Sequence, residues 1–154
     1  MKPTPRVRNY MSTEVHCLAP DADVYQAVAF LLEHGISGAP VTEGRRLVGV
    51  ISEKDCLMLL AAGADAVLAE ARVESFMSRD VRTVTPDAEI VEVASRFLQD
   101  SCRRYPVVED GVVVGLISRR DVLRAIQRLH EDSREGEPLP DREGAPRPRR
   151  RDRR

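Results

Sequence analysis

The chain has 154 residues, 42% of them apolar, 32% charged and 4% aromatic, with no Trp. That length and mix suit one compact domain with an aliphatic core and exclude a mainly disordered or collagen-like chain. With 24 basic against 25 acidic residues, the molecule as a whole is no polycation for nucleic acid, and three scattered Cys and three scattered His form neither a disulfide framework nor a zinc spacing.

In chain order, Val15–Leu18 reads as a short first strand. Pro20 and Asp21 then precede Val24, Ala27, Val28, Leu31 and Leu32, the three-and-four spacing of one helix face. Asp21 is expected to cap that helix and Gly35 to stop it. Ala39–Thr42 and Leu47–Ile51 read as two strands, and a second helix is expected to begin near Ser52. The segment 61–75 has Ala at six of its fifteen positions and reads as a helical linker.

The plan then starts again. Val81–Val84 reads as a strand, and Asp87 as the cap of a helix with Ile90, Val93, Ala94, Phe97 and Leu98 on one face. Tyr105–Val108 and Val112–Ile117 flank Asp110-Gly111, a hairpin signal, and a helix follows from near Ser118. Beyond His130, six acids in 131–144 give way to six Arg in 145–154 without apolar periodicity, so 131–154 reads as a disordered tail.

This recurrence is a duplication. A shift of 66 positions lays Met11–Leu60 on Met77–Ile126 without a gap and with 16 of 50 residues identical, among them Met11/Met77, Pro40/Pro106, Gly49/Gly115, Ser52/Ser118 and Asp55/Asp121. Each copy is a strand-helix-strand-strand-helix unit of about 50 residues, too small to bury a comfortable core alone. The expected architecture is therefore an α/β (α+β) module of two packed repeats about a pseudo-two-fold axis: 6–60 the first, 61–75 the linker, 76–130 the second.

The strongest chemical candidate is the repeated Gly49-Val50-Ile51-Ser52-Glu53-Lys54-Asp55 and Gly115-Leu116-Ile117-Ser118-Arg119-Arg120-Asp121. It puts a hydroxyl at a strand-to-helix junction, where free N–H groups and the positive dipole end favour phosphate. A carboxylate one turn on can accept both hydroxyls of a ribose. The same spacing is also a capping box, in which Ser caps the helix and the acid reaches back to the Ser N–H; duplication copies either kind of element.

Together, the Tyr10-Met11-Ser12 and Phe76-Met77-Ser78 openings, the Ser37-Gly38-Ala39-Pro40-Val41 and Arg103-Arg104-Tyr105-Pro106-Val107 middles and the Gly-x-x-Ser-x-x-Asp ends resemble a pair of cystathionine beta-synthase (CBS) domains over residues 6–130. The resemblance implies a disc-like module with two clefts for adenosine-containing ligands such as AMP, ATP or S-adenosylmethionine. It places Asp55 and Asp121 on ribose hydroxyls and Ser52 and Ser118 on phosphate. It places Val15, Cys17 and Thr83 of the first strands, with Gly38, Ala39, Pro40, Arg104, Tyr105 and Pro106, around adenine. Cys17 stands where Thr is common in the family. Arg103, Arg104, Arg119 and Arg120 add charge to the second copy, so its cleft is expected to take the more highly charged nucleotide.

No His, Cys or Glu constellation offers a nucleophile with its base, so no enzyme activity and no catalytic cofactor are expected. His16-Cys17 are neighbours on an expected strand and point to opposite faces. The first-choice function is a cytoplasmic regulatory module that senses a nucleotide and signals to a separate partner. The resemblance further implies a homodimer, through helix faces that include Leu57, Leu59, Leu60, Val122, Leu123 and Ile126. The alternatives are a ligand-free scaffold and, less favoured, nucleic-acid binding through the Arg-rich tail. No segment reads as a signal peptide or a membrane span.

Overall fold

The computed structural model describes residues 3–63 and 70–135. Helix α1 (Val24–His34) is capped by Asp23, whose side chain accepts from Gln26 N while Gln26 returns a bond to Asp23 N. The cap is thus two residues later than Asp21. Gly35 ends the helix at φ 59°, a left-handed position that costs glycine little. Strands β1 (Gly38–Glu43) and β2 (Arg46–Ser52) pair antiparallel and lead into α2 (Glu53–Ala61). A short turn of helix, α3 (Val73–Phe76), opens the second copy. There follow α4 (Ile90–Gln99), β3 (Arg104–Glu109), β4 (Val112–Ser118) and α5 (Arg119–Glu135). Asp110 and Gly111 both take positive φ, 52° and 78°, as a tight hairpin of right-twisted strands demands. Glu89, without a side-chain bond, occupies the cap of α4, while Asp87 instead pairs with Arg8 at 2.7 Å.

The four strands form one sheet in the order β1-β2-β4-β3, joined across the middle where Arg46 faces Val112. The expected strands 15–18 and 81–84 shrink to single parallel bridges, Leu18 to Val41 and Val84 to Val107. Leu18 N donates to Pro40 O and Thr42 N to Leu18 O. The next rung would need a donor at Pro40, which has no N–H, and Pro106 stops the second copy in the same way. At the other end, α5 runs to Glu135, through the start of the expected tail; 136–154 and the linker residues 64–69 lie outside the described residues.

Two cores result, and each repeat borrows from the segment that precedes the other. Val7 is fully buried with Ile90, Val93, Phe97, Tyr105 and Ile117 of the second copy. Val73 and Met77 enter the first core beside Leu31, Val41, Ile51 and Cys56. Backbone bonds fasten the exchange: Val7 N donates to Ala88 O, and Val73 N to Ala22 O. Burying each borrowed Val contributes about 1.5–3 kcal/mol, so neither copy completes its core without a segment that precedes the other.

The same exchange explains the repeated Met-Ser and Gly positions. Ser12 bridges Leu116, and Ser78 bridges Val50. A Cβ on Gly115 would stand 2.7 Å from Met11 Sδ and 2.9 Å from Ser12 O; on Gly49 it would meet Met77 Sδ at 2.5 Å and Ser78 O at 2.9 Å. Only glycine lets these segments lie on the strands.

Candidate functional site

Both Ser-x-x-Asp elements close as capping boxes. Asp121 Oδ2 accepts from Ser118 N at 2.8 Å and from Ser118 Oγ at 2.9 Å, while Asp121 N donates to Ser118 Oγ at 3.2 Å. Ser52 and Asp55 repeat these bonds at 2.9, 2.9 and 3.2 Å. Each Ser hydroxyl therefore spends its single proton on its own carboxylate and must turn before it can donate to a phosphate. The carboxylates keep capacity: Asp121 Oδ1 receives Arg124 at 2.8 Å, and both of Asp55's cap bonds fall on Oδ2.

The hollows beside the caps stay open. A cavity of 280 Å³ is lined by Ser118, Asp121, Leu116 and Arg104 of the second copy and by Ser12, Glu14, His16, Ile36 and Gly38 from the first half of the chain. Ser12 is held there by its paired bonds with Leu116, both 2.9 Å. His16 stacks on His34 at 3.9 Å between centroids, and Phe30 meets His34 edge-on at 4.6 Å. The wall of the Asp121 cleft is thus built by the other repeat.

A second cavity of 530 Å³ adjoins it at Gly38, Arg104 and Leu116. Pro40, Val50, Ile51 and Pro106 give it apolar lining. Ser52, Glu53, Lys54, Arg103 and Arg104 give it polar and charged lining. Asp55 lines neither cavity.

The structure draws Gly38, Ala39, Pro40, Ser52, Arg104, Pro106, Ser118 and Asp121 to these two hollows. It places the other expected residues elsewhere. Val15 and Cys17 line a separate 490 Å³ cavity with Thr42, Arg45 and Val113. Along extended backbone, side chains alternate faces, so Glu14 and His16 line the Asp121 cleft while Val15 and Cys17, expected around adenine, face the other way. Burial raises the Cys17 thiol above its ordinary value, and a hydrogen bond with Thr42 partly opposes this.

Thr83 lines none of these three cavities, and its carbonyl accepts from Arg96 at 2.8 Å. Tyr105 is fully buried: its ring stacks on Phe97, and its hydroxyl donates to Asp100 at 2.6 Å. It is core, and burial pushes its phenol above the usual range. Arg119 turns to the outer helix face, 6.0 Å from the Phe97 ring centroid. Arg103 and Arg104 keep the expected charge near the second cleft, and Lys54 of the first copy joins them. Residue types alone could not single out Glu14, His16 or Lys54; the parity of the 12–18 segment and the pairing of the copies decide them.

The family model of the CBS domain matches twice, at residues 7–62 and 73–128. The chain belongs to the CBS domain family. Its tandem CBS pair is 38% identical over 124 residues to the A-adding tRNA nucleotidyltransferase of Aquifex aeolicus (strain VF5); the match covers 79% of this chain but 14% of that enzyme's length. The fold is similar to the Arabidopsis thaliana CBS-pair protein CBSX2 in complex with AMP, with a TM-score of 0.71 and 27% identity over 81% of this chain and 98% of that one. It is similar too to the CBS domain pair of protein MJ0100 in complex with 5′-methylthioadenosine and S-adenosyl-L-methionine, with a TM-score of 0.67 and 26% identity over 82% of this chain and 99% of that one. Among the described residues, no helix of the CBS pair is long and apolar enough to cross a membrane.

Proposed function

We propose that this CBS pair is a non-catalytic regulatory module that binds an adenosine-containing ligand in the Asp121 cleft and transmits the bound state to a partner. The observation that carries the reading is the open hollow in which Ser118 and Asp121 of one repeat face Glu14, His16, Ile36 and Gly38 from the other. A ribose diol would donate to Asp121, with the base against the 14–16 and 36–38 segments. Two solved CBS pairs hold AMP, or methylthioadenosine and S-adenosylmethionine, which supports an adenosine ligand here. A ligand that touches both repeats prefers one arrangement of them and shifts the population toward it.

Leu57 and Leu60 on α2 and Leu123 and Ile126 on α5 are exposed. They suit the homodimer expected through the helix faces; Val122, by contrast, is only 4% exposed and belongs to the core. The second reading, a ligand-free scaffold, draws on the closed capping boxes, which give each carboxylate a partner within its own helix start. A thermal-shift panel of AMP, ADP, ATP, S-adenosylmethionine and NAD separates the two. A true ligand at 100 times its Kd stabilises by about 2.7 kcal/mol; no shift with any of the five supports the scaffold.

A further inference from the structure

We infer that the 490 Å³ cavity around Cys17 and Arg45 is a separate ligand site, built for a short-chain monocarboxylate that carries an oxo or hydroxyl oxygen on the carbon next to the carboxylate. Alternation along the 12–17 segment sets it apart from the Asp121 cleft: Thr13, Val15 and Cys17 line this cavity, whereas Ser12, Glu14 and His16 line the other.

The lining specifies the ligand. Arg45 is its one cation, and among the described residues the Arg45 guanidinium has no hydrogen bond or ion pair. Main-chain bonds fix the base of that side chain: Val113 N donates to Arg45 O at 2.9 Å and Leu47 N to Gly111 O at 3.1 Å, so the β1–β2 turn lies against the start of β4. A guanidinium matches both oxygens of a carboxylate. No Asp or Glu stands among the described residues that line the cavity. The acids nearest in sequence are taken elsewhere, Glu14 to the Asp121 cleft and Glu43 opposite Arg46 in the strand register. A 2-amino acid would therefore bring an ammonium with no carboxylate to meet, and a multiply charged phosphate would find only one cation. Thr13 and Thr42 offer hydroxyls, which donate to an oxo group and either donate to or accept from a hydroxyl. Val15, Leu18, Val113 and Val114 add apolar contacts for a short branched chain.

Comparing the two copies separates this equipment from what the fold needs. At the positions related by the 66-residue shift, the second copy has Arg79 for Thr13, Thr83 for Cys17, Val108 for Thr42 and Gly111 for Arg45. Both copies bulge at the same place in the sheet, between Val41 and Thr42 and between Val107 and Val108. The strand is therefore built alike with Val or Thr, and folding does not call for a hydroxyl there. Yet Thr42 is only 7% exposed, and its side chain bonds the Cys17 thiol, a weak partner that leaves the hydroxyl capacity for a stronger one.

Labelling the full chain with N-ethylmaleimide, read at each cysteine by mass spectrometry, tests the site, because Cys17 lines this cavity and Cys102 lines the chamber beside Arg103. The probes are 2-oxoisovalerate, 2-hydroxyisovalerate, L-valine and inorganic phosphate, each also titrated calorimetrically. The expected results are that the oxo and hydroxy acids slow Cys17 labelling at least threefold, leave Cys102 unchanged, and bind at least tenfold tighter than L-valine or phosphate. Arg45→Gln, on an exposed turn, and Thr42→Val, which installs the second copy's residue, each weaken 2-oxoisovalerate at least tenfold, with the Tm of the free Arg45→Gln protein unchanged. L-valine or phosphate binding as tightly as 2-oxoisovalerate, protection of Cys102 in place of Cys17, unchanged affinity in Arg45→Gln, or no protection of Cys17 by either acid overturns the assignment. None of these outcomes bears on the Asp121 cleft, so the adenosine reading stands or falls separately.

Discussion

Replacing Gly115 by Ala tests whether the Met11–Ser12 segment is clamped on the second repeat. The added Cβ would sit 2.7 Å from Met11 Sδ, which a flexible side chain can relieve, and 2.9 Å from Ser12 O, which it cannot. Ser12 and Leu116 exchange two backbone hydrogen bonds of 2.9 Å at that point. Lengthening both costs about 1–3 kcal/mol, and overpacking adds roughly 1–3 kcal/mol. The backbone entropy regained on leaving glycine offsets about 0.5–1 kcal/mol. The net loss is about 1–5 kcal/mol, or roughly 2–20 °C in Tm for a chain of this size. Because Ser12, Glu14 and His16 form a wall of the Asp121 cleft, AMP affinity falls as well. Urea denaturation followed by circular dichroism, with an AMP titration on the same samples, measures both effects. Gly44→Ala is the control: Gly44 has φ +60° and open space around it, so only strain of about 1–2 kcal/mol is expected, with AMP affinity unchanged. A Gly115→Ala protein within about 0.5 kcal/mol of the parent would refute the clamp.

Tyr105→Phe removes the 2.6 Å bond to Asp100, whose side chain is 8% exposed and also pairs with Arg82. It should cost about 1–3 kcal/mol in urea unfolding and leave AMP affinity unchanged; a tenfold affinity loss at normal stability would return Tyr105 to the ligand site. Burial, and after it the negative charge of Asp55, raises the Cys56 thiol in the folded chain. Below the ordinary thiol value both states are protonated and stability is intact; above it the unfolded chain gives up its proton first, so stability falls with pH. Urea midpoints should decline from about pH 8.5 upward, near the ordinary thiol range, and less steeply in Cys56→Ala. An identical slope in the two proteins would contradict the assignment. Ser118→Ala removes the hydroxyl that accepts from Asp121 N and should cost about 0.5–2 kcal/mol, read from the same urea curves; no loss would mean the box contributes nothing.

What could be read from the sequence was local or periodic. The 66-residue repeat, the Asp110-Gly111 hairpin, the Gly35 stop and most of each helix face follow from periodicity and backbone preference, but Leu32 and Leu98, expected on those faces, are 76% and 90% exposed. The Ser-Asp pairs were equally legible, as caps and as candidate ligands. The misplacements arose where a partner distant in sequence decides. Pro40 denies His16 a ladder donor, so the first strand never forms and its parity relative to the cleft is set by Ser12 on Leu116 and Leu18 on Val41. Tyr105 was expected beside adenine with its neighbours Arg104 and Pro106, because its buried acceptor, Asp100, is recognisable only once α4 is packed. Arg119 follows the helix away from the cleft, and Lys54 enters because the chamber spans both copies. Asp23 outcompeted Asp21 as cap because only Asp23 has Gln26 three residues on to close the box.

Soaking crystals of the full chain with AMP and computing a difference map tests the central claim most directly. The account predicts density for a ribose on Asp121, with adenine between the 14–16 and 36–38 segments and phosphate beside Arg104. An undisturbed Ser118–Asp121 box with an empty cleft, or a nucleotide seated instead in the Cys17–Arg45 cavity, would contradict it.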